Sequence, residues 1–554
     1  MFHPHWREQA LASLDTPFDL VIVGGGISGC GIFMDAAQRG LRVLLVEQGD
    51  LASGTSSRSS KLLHGGLRYL KQMQLRVTHT ACRERDRQLA LHPHLARPIQ
   101  FVYPAYHSSR TPRWQVELGL WIYDRMTHGP DKHRTLEVEE LAGLVPGLQQ
   151  EGLDRALVYL DARVDDARLT HAVAATGSAY GGWVLTRAAA REAVWNAEKS
   201  LSGLVIEDLL TGGSHRVEAP LVVNASGAGV DRLRHALGLP GKTVRPSRGT
   251  HLIFDRSRLP IEAAVTMLSP DDSRPVFFIP HPEGVLVGTT DLFHDGDVDD
   301  PRASREEVDY LLRTVASAFP EDPPGADEVV GVFAGVRPVL DNDSDDPSAA
   351  SREEAIWYER GLLSVAGGKL TTWRATAEEA VDEALEHLPD RIAQRASSCA
   401  TAGTALAGLA PEDLAERLER AHELPPRVAK GMARRLGSLA WTACELAGPR
   451  ELRPLREDLD ITAAEVRAHL RFGAVVHLSD LLLRRVRLGM WRPSIARELA
   501  PQLCGLACSE MGWNNRRFEQ ELERYQREAE SWAPEGVDDS AKPRAGGAPA
   551  ERGT

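Results

Sequence analysis

The stretch SSKLLHGGLRYL, from Ser59 to Leu70, gathers a lysine, a histidine, two adjacent glycines, an arginine and a tyrosine in one segment. Each type has its own chemical use. Imidazole titrates near neutrality and is the usual carrier of a proton in catalysis. Guanidinium is a planar fork that grips an oxyanion at two points. Paired glycines let the backbone come close to a ligand. A plain connecting loop needs none of these. Later segments continue the theme. AGVRPVL sets Arg337 between a turn glycine and a proline, and AGGKLTTWR sets Lys369 directly after Gly367 and Gly368. His251 opens a strand-like run in SRGTHLIFD, and Arg274 stands in DDSRPVFFIPH. Only 8 of the 65 Lys and Arg residues are lysine, and a cation in a first helical turn opposes the helix dipole, so Lys369 carries extra weight.

Such residues must be positioned against something, and the segment before them has a nucleotide pattern. FDLVIVGGGISGCGIFMDAAQRGLRVLLVEQGD places an apolar run, Leu20 to Val23, ahead of Gly24, Gly26 and Gly29 in G-x-G-x-x-G order. A helical pattern then reaches Gly40, and a second apolar run, Leu41 to Val46, ends at Glu47. In a unit of this kind the glycines allow a tight turn, close approach to a pyrophosphate and close packing of helix on strand. The helix N-terminus offers free N–H groups and partial positive charge to phosphates. An acid about 20 residues on accepts hydrogen bonds from a ribose diol. Glu47 is that acid, and it would repel a 2′-phosphate. Glycine pairs at 181–182, 212–213 and 367–368 lack the spacing, so one dinucleotide site is expected. NAD and FAD both stay open.

The 554 residues allow about three to four folding units. No apolar run approaches the roughly 18 residues of a membrane-spanning helix. The start, MFHPHWREQALASLD, lacks the basic patch and apolar stretch of a secretory signal and reads as an arm before the first strand. A net charge of −13 argues against general affinity for nucleic acid or anionic lipid. Cys504 and Cys508 are the only close pair among six cysteines and have no second Cys/His pair beside them, so no metal site is expected. Reduced cysteines fit a cytoplasmic protein.

Two further strand–turn–helix units lie far along the chain. One is APLVVNASGAGVDRL near residue 220, and the other is LLSVAGGKLTTWRATAEEAVDEALEHL near residue 365, whose helix carries Leu370, Trp373, Ala377 and Val381 on one face. PEDLAERLERAHEL and ITAAEVRAHLRFGAVVHLSDLLLRRVRLGM repeat apolar residues at three- and four-residue spacing, which predicts a helical region. The end, VDDSAKPRAGGAPAERGT, is poor in apolar residues and is predicted disordered.

In this order, SSKLLHGGLRYL, GTTD at Gly288 to Asp291, GVRP at Gly335 to Pro338 and GGKLTT at Gly367 to Thr372 closely resemble the FAD-dependent, quinone-linked glycerol-3-phosphate dehydrogenases. The resemblance covers Phe18 to Arg374 and continues more loosely from Cys399 to Trp532. One departure is NASG, Asn224 to Gly227, where many relatives have threonine in place of Ser226. The fold implied is α/β, or α+β overall. A glutathione-reductase-like FAD-binding Rossmann domain, from about 18–90, 155–235 and 340–390, is interleaved with an antiparallel-sheet substrate domain. That domain takes mainly 236–335 and part of 91–154. Residues 1–17 would form the arm, 391–532 an α-helical C-terminal domain, and 533–554 a disordered tail.

The resemblance implies glycerol 3-phosphate as substrate and FAD as cofactor. The phosphate dianion must be held, the hydroxyl proton removed and the C2 hydride delivered to flavin N5. Arg68 and Arg337 are the matched candidates for the oxyanion, with Arg274 as a third, Lys369 in reach of the phosphate and Tyr69 as a further substrate contact. Arg337 and two histidines are the catalytic candidates. His64 is favoured as base because Gly65 and Gly66 bring its backbone near the flavin, and His251 as a substrate or flavin contact. The AGGKLTTWR turn would aim a helix N-terminus, with Lys369, at charge on the reduced flavin. In the nucleotide turn, Gly24, Gly26, Ile27, Ser28 and Gly29 are expected against the cofactor, followed by Glu47 and Gln48. Thr55, Ser56, Ser57 and Ser59 have hydroxyls suited to phosphate oxygens, and Lys61, Leu62, Leu63 and His64 follow them. Ala188, Ala225 and Gly227, then Gly368, Lys369, Leu370 and Thr371, complete the expected contacts.

With no second nucleotide site, the electron acceptor should be small. The resemblance implies ubiquinone or menaquinone, and a protein lying peripherally on the inner face of the cell membrane. It leaves room for a homodimer. LLLRRVRLGMWRP, from Leu481, offers a basic, apolar helical face that either meets anionic lipid or packs against the FAD domain or a twin subunit. Three alternatives stand beside this one: oxygen as acceptor, yielding hydrogen peroxide; an amine or amino-acid oxidase of the same fold; and a non-catalytic FAD-binding module.

Overall fold

The computed structural model describes residues 2–66, 75–107, 113–127, 132–241, 244–341 and 354–538. Its short apolar runs, covered on both faces, form parallel strands. Leu20–Val23 lies between Val43–Glu47 and Val222–Asn224, in parallel with both. Leu362–Ala366 and Trp183–Thr186 extend the sheet, and Ala355–Glu359 adds an antiparallel edge, for six strands in all. The helix Ile27–Gln38 packs with Asp166–Ala179 and Trp373–His387, and their shared core includes Phe33, Val173, Trp373 and Ala377. An antiparallel meander, Ala188–Trp195, Leu201–Asp208 and Ser214–Glu218, stands beside this nucleotide domain.

The second sheet has ten strands. Besides 236–335 and part of 91–154 it takes in Leu62–Leu63, most of Leu153–Val164 and the end of Val329–Leu340. Ala96–Tyr106 and Leu153–Val164 run antiparallel along their full length, and Val244–Phe254 pairs in the same way with Val329–Leu340. A parallel contact, Ala264 beside Phe101, joins the halves, so the sheet is mixed rather than purely antiparallel. The arm before the first strand is a short helix, Trp6–Ala12, tied down by an ion pair of 2.5 Å between Arg7 and Asp208.

From Leu414 to Ala529 the chain is helical and packs on both earlier layers. The LLLRRVRLGM segment is buried: Leu481, Leu482, Arg485 and Arg487 are each at most 2% exposed. It presents no face to lipid and serves as the junction with the nucleotide domain. Asp50, just beyond the second parallel strand, accepts from Arg484 Nε at 2.6 Å and from Arg485 Nη1 and Nη2 at 2.9 and 2.8 Å. Asp480 in turn accepts from Arg484 at 2.7 Å and from Arg187 of the nucleotide domain.

Removing one partner of a buried ion pair leaves the other charge uncompensated, at a cost of about 3–5 kcal/mol. Asp50→Asn is therefore expected to weaken the docking of the helical region by about that amount. Denaturant unfolding followed by tryptophan fluorescence checks this, and an unshifted first transition would contradict it.

Candidate functional site

The nucleotide turn closes as its glycines require. Gly24 has φ +120, and a Cβ there would sit 2.4 Å from the Ala225 carbonyl oxygen. The helix beginning at Ile27 has Gly26 as its N-cap and no side-chain cap, so donors at its start face the adjoining cleft. Ser56 Oγ accepts from Ile27 N at 2.9 Å. Glu47 ends the second strand and accepts from Gly25 N and Gly49 N, both at 2.6 Å. Burial pushes its pKa up, and those two N–H groups oppose the shift.

From this turn a cleft of about 1740 Å³ runs between the nucleotide domain and the ten-stranded sheet. Pockets for one drug-sized ligand span roughly 300–1,000 Å³, so this one has room for a dinucleotide and a second small molecule. Gly24, Gly26, Ile27, Ser28, Glu47 and Gln48 line one end. Thr55, Ser56, Ser59, Leu62 and His64 line the middle, with Ala188, Ala225 and Gly227 along the side and Gly368 to Thr371 opposite. Arg274, Arg337 and Lys369 line the same cleft, as do His251 and His64, and the Asp291 carboxylate lines it beside Arg337. The uncapped helix start, the acid at the end of the second strand and the length of the cleft all fit a flavin dinucleotide.

Four residues expected against the cofactor lie outside the cleft wall. Gly29 is buried against the Gly24 carbonyl, and Leu63 is packed in the core. Ser57 is fully buried, with its hydroxyl turned to Gly54 O. Lys61 is also buried, and its Nζ is 3.0 Å from both carboxylate oxygens of Asp166. The hydroxyls of Thr55 and Ser59 line the cleft but donate to Val336 O and Asp166, holding the loop in place. The Ser226 hydroxyl donates to Asn224 Oδ1 at 2.6 Å. Arg68 and Tyr69 lie outside the described residues.

Several positioning contacts have no local sequence signal. Thr371 Oγ1 accepts from His64 N at 3.1 Å, fastening the SSKLLHGG segment to the GGKLTT turn. Arg337 reaches Thr289 Oγ1 at 2.9 Å and Asp291 Oδ1 at 3.2 Å. Arg274 donates to the Asp291 carbonyl at 2.9 Å, so the GTTD motif brackets both arginines. Gly249 lies beneath them, and a Cβ there would meet Arg337 Nη2 at 2.3 Å.

The two histidines differ. His64 is half-buried and faces the cleft. His251 is 2% exposed, stacks on Phe333 at 4.9 Å and lies with Nε2 2.8 Å from Ser60 Oγ. Burial first, then the charges of Arg337 and Lys61, holds His251 well below the usual histidine range. It stays neutral while His64 has the open approach.

A sequence profile described as FAD dependent oxidoreductase matches residues 19–383, and one described as the C-terminal domain of alpha-glycerophosphate oxidase matches 399–518. Glycerol-3-phosphate dehydrogenase 2 of Mycobacterium tuberculosis is 34% identical over 540 residues, covering 95% of this chain and 91% of that protein. An aerobic glycerol-3-phosphate dehydrogenase of Staphylococcus saprophyticus is 33% identical, covering 86% and 88%. The crystal structure of the Bacillus halodurans glycerol-3-phosphate dehydrogenase complexed with FAD superimposes with a TM-score of 0.79 at 26% identity, over 98% of this chain and 100% of that one.

The neutral state of His251 has a consequence for stability. Once unfolded it binds a proton near pH 6.5, so the unfolded state gains protons as pH falls and folding weakens. The thermal midpoint is expected to drop between pH 7.5 and 5.5, and His251→Asn to remove part of that slope. An identical slope in the variant would contradict the burial argument.

Proposed function

Because the chain belongs to the FAD-dependent glycerol-3-phosphate dehydrogenase family, we propose that it oxidises sn-glycerol 3-phosphate to dihydroxyacetone phosphate and passes the electrons to a membrane quinone. The observation that carries this reading is the single cleft, lined both by a nucleotide cradle and by Arg274, Arg337, Lys369 and His64. FAD, which the glycine turn, Glu47 and the 367–371 turn would hold, would supply a two-electron acceptor for the hydrogen on substrate C2.

The remaining work falls to the protein. Arg337, already oriented by Thr289 and Asp291, grips the phosphate together with Arg274 and Lys369. Planar guanidinium groups suit two-point contact with such an oxyanion. His64 accepts the C2 hydroxyl proton, a role that contributes about 10²- to 10⁴-fold in rate. His251 and Ser60 wall the substrate side. Lys369 and the uncapped start of the helix Trp373–His387 keep positive potential in the cleft, which favours developing negative charge. An amine or amino-acid substrate has no use for three convergent cations.

The quinone reading has its own support. On the helix Arg113–Met126, Trp114, Leu118 and Trp121 are 61%, 48% and 49% exposed and share one face, while Leu120 and Tyr123 are buried behind them. Gln115, Val116, Gly119 and Ile122 of the same helix line the cleft, and Leu118 stands at its edge. Exposed tryptophans on an amphipathic helix suit the membrane–water interface. A quinone dissolved in the bilayer would thereby be brought alongside the cleft. Among the described residues no helix is long and apolar enough to cross a membrane.

Anaerobic addition of glycerol 3-phosphate to the holoprotein is expected to bleach the flavin absorbance, and no bleaching overturns the reading. His64→Asn should retain FAD and slow bleaching by about 10²-fold or more, whereas an unchanged rate transfers the proton to His251. Reduction of a ubiquinone analogue is expected to outpace peroxide release. The reverse makes the protein an oxidase.

Replacing Trp114 and Trp121 by glutamate should abolish binding to phosphatidylglycerol vesicles and depress quinone reduction there, with flavin bleaching unchanged. Undiminished vesicle binding rejects this helix as the membrane contact.

A further inference from the structure

A second cavity, of about 70 Å³, lies apart from the cleft at the junction of the nucleotide domain and the C-terminal helices. Arg168 reaches it from the helix Asp166–Ala179, on the face shared with Ala172 and Ala175. Arg435 comes from Pro426–Leu436, His469 from Ala463–Phe472, and Arg484 and Arg485 from the buried segment described above. His94 and His171 complete the ionisable wall. Among the described residues four arginines and three histidines line this space, and no carboxylate does.

Most of these groups have their partners elsewhere. Arg435 is met by Glu465 at 2.5 Å and by Asp460 at 2.9 Å, and Arg484 and Arg485 are met by Asp50. His171 Nε2 bonds to Gly473 O at 2.9 Å. Three side chains are different. Arg168 donates to the Arg434 carbonyl and has no carboxylate partner among the described residues. His469 is 7% exposed, and its Nε2 is buried with no hydrogen-bond partner. His94 Nδ1 is in the same condition. Burial, followed by the charges of Arg485, Arg168 and Arg435, holds His469 well below the usual histidine range, so the charge at this spot is arginine's.

Water could fill the space but would leave Arg168, which feels Asp165 and Glu283 only at longer range and Arg434 and Arg435 against them, with no anion in contact. An oxyanion answers both the charge and the missing acceptors. We propose that this cavity binds one small tetrahedral oxyanion, of the phosphate or sulfate kind, held by Arg168 and by Nε2 of His469. The tautomer with hydrogen on Nε2 makes His469 a donor. The volume is a small fraction of the 1740 Å³ cleft and on the scale of one compact oxyanion. The site is therefore no second copy of the cleft. Because its walls come from two domains, the anion binds only their docked arrangement and stabilises it by mass action.

Crystals of the holoprotein soaked in millimolar selenate test the proposal by anomalous diffraction, without recourse to turnover. An anomalous peak is expected between Arg168 and His469, displaced by excess inorganic phosphate, weakened in Arg168→Lys and absent in Arg168→Met and His469→Phe. In solution, inorganic phosphate should raise the thermal midpoint of Arg337→Met, whose cleft has lost its anion grip, but not that of the double variant Arg337→Met/Arg168→Met. Water alone in soaked wild-type crystals, or a peak indifferent to phosphate and to both residues, overturns the proposal.

Discussion

One buried carboxylate, Asp166, joins three distant parts of the chain. It accepts from Ser59 N and Oγ at 3.0 and 2.7 Å, from Lys61 Nζ at 3.0 Å and from Arg487 Nη1 at 2.9 Å. Burial alone would raise its pKa, but Lys61 and Arg487 overcome that and hold it down at about 2. Such a charge is tolerable in the interior only because it is paired and hydrogen-bonded on every side. Ser59 and Lys61 flank Ser60, and Ser60 meets His251. Lys61 Nζ also lies 5.1 Å from the Phe333 ring on which His251 stacks. The C-terminal helices, through Arg487, thus help to set the wall of a cleft they do not line.

The same logic recurs around the cleft. Three of its groups are held from another segment: the His64 backbone by Thr371, Arg337 by Thr289 and Asp291, and Arg274 by the Asp291 carbonyl. Since Val329–Leu340 pairs with Val244–Phe254 in a register that sets Arg337 opposite Ser247, and Ser247 Oγ donates to Asp291 at 2.6 Å, the sheet itself fixes where the guanidinium points. Preorganised charge of this kind needs little rearrangement when a ligand arrives.

How much of this could be read beforehand depended on range. The nucleotide half was legible because its signals are local: a tight glycine turn, apolar runs on either side and an acid at a fixed distance. The helical C-terminal region was legible from periodicity. Partners across long separations were not. Lys61 stood inside a motif associated with the cofactor, yet its charge is met by Asp166, which no spacing rule connects to it. GTTD could be recognised as a signature, but its bracket function depends on strand register. The periodicity of LLLRRVRLGM showed an amphipathic segment and could not say what covers it, and Asp50 does so from far upstream. The strand at 153–164 joins the ten-stranded sheet although the stretch from 155 was expected in the nucleotide domain, because its pairing is non-local.

The central claim is that one cleft holds a flavin and a phosphorylated three-carbon substrate side by side, between segments far apart in sequence. A crystal structure of the holoprotein with dihydroxyacetone phosphate tests it most directly. The account predicts the ligand phosphate against Arg337 and Lys369, with its C2 oxygen turned toward His64 and its carbon chain facing the isoalloxazine. A ligand bound away from these residues, or a flavin whose reactive edge points out of the cleft, would contradict it.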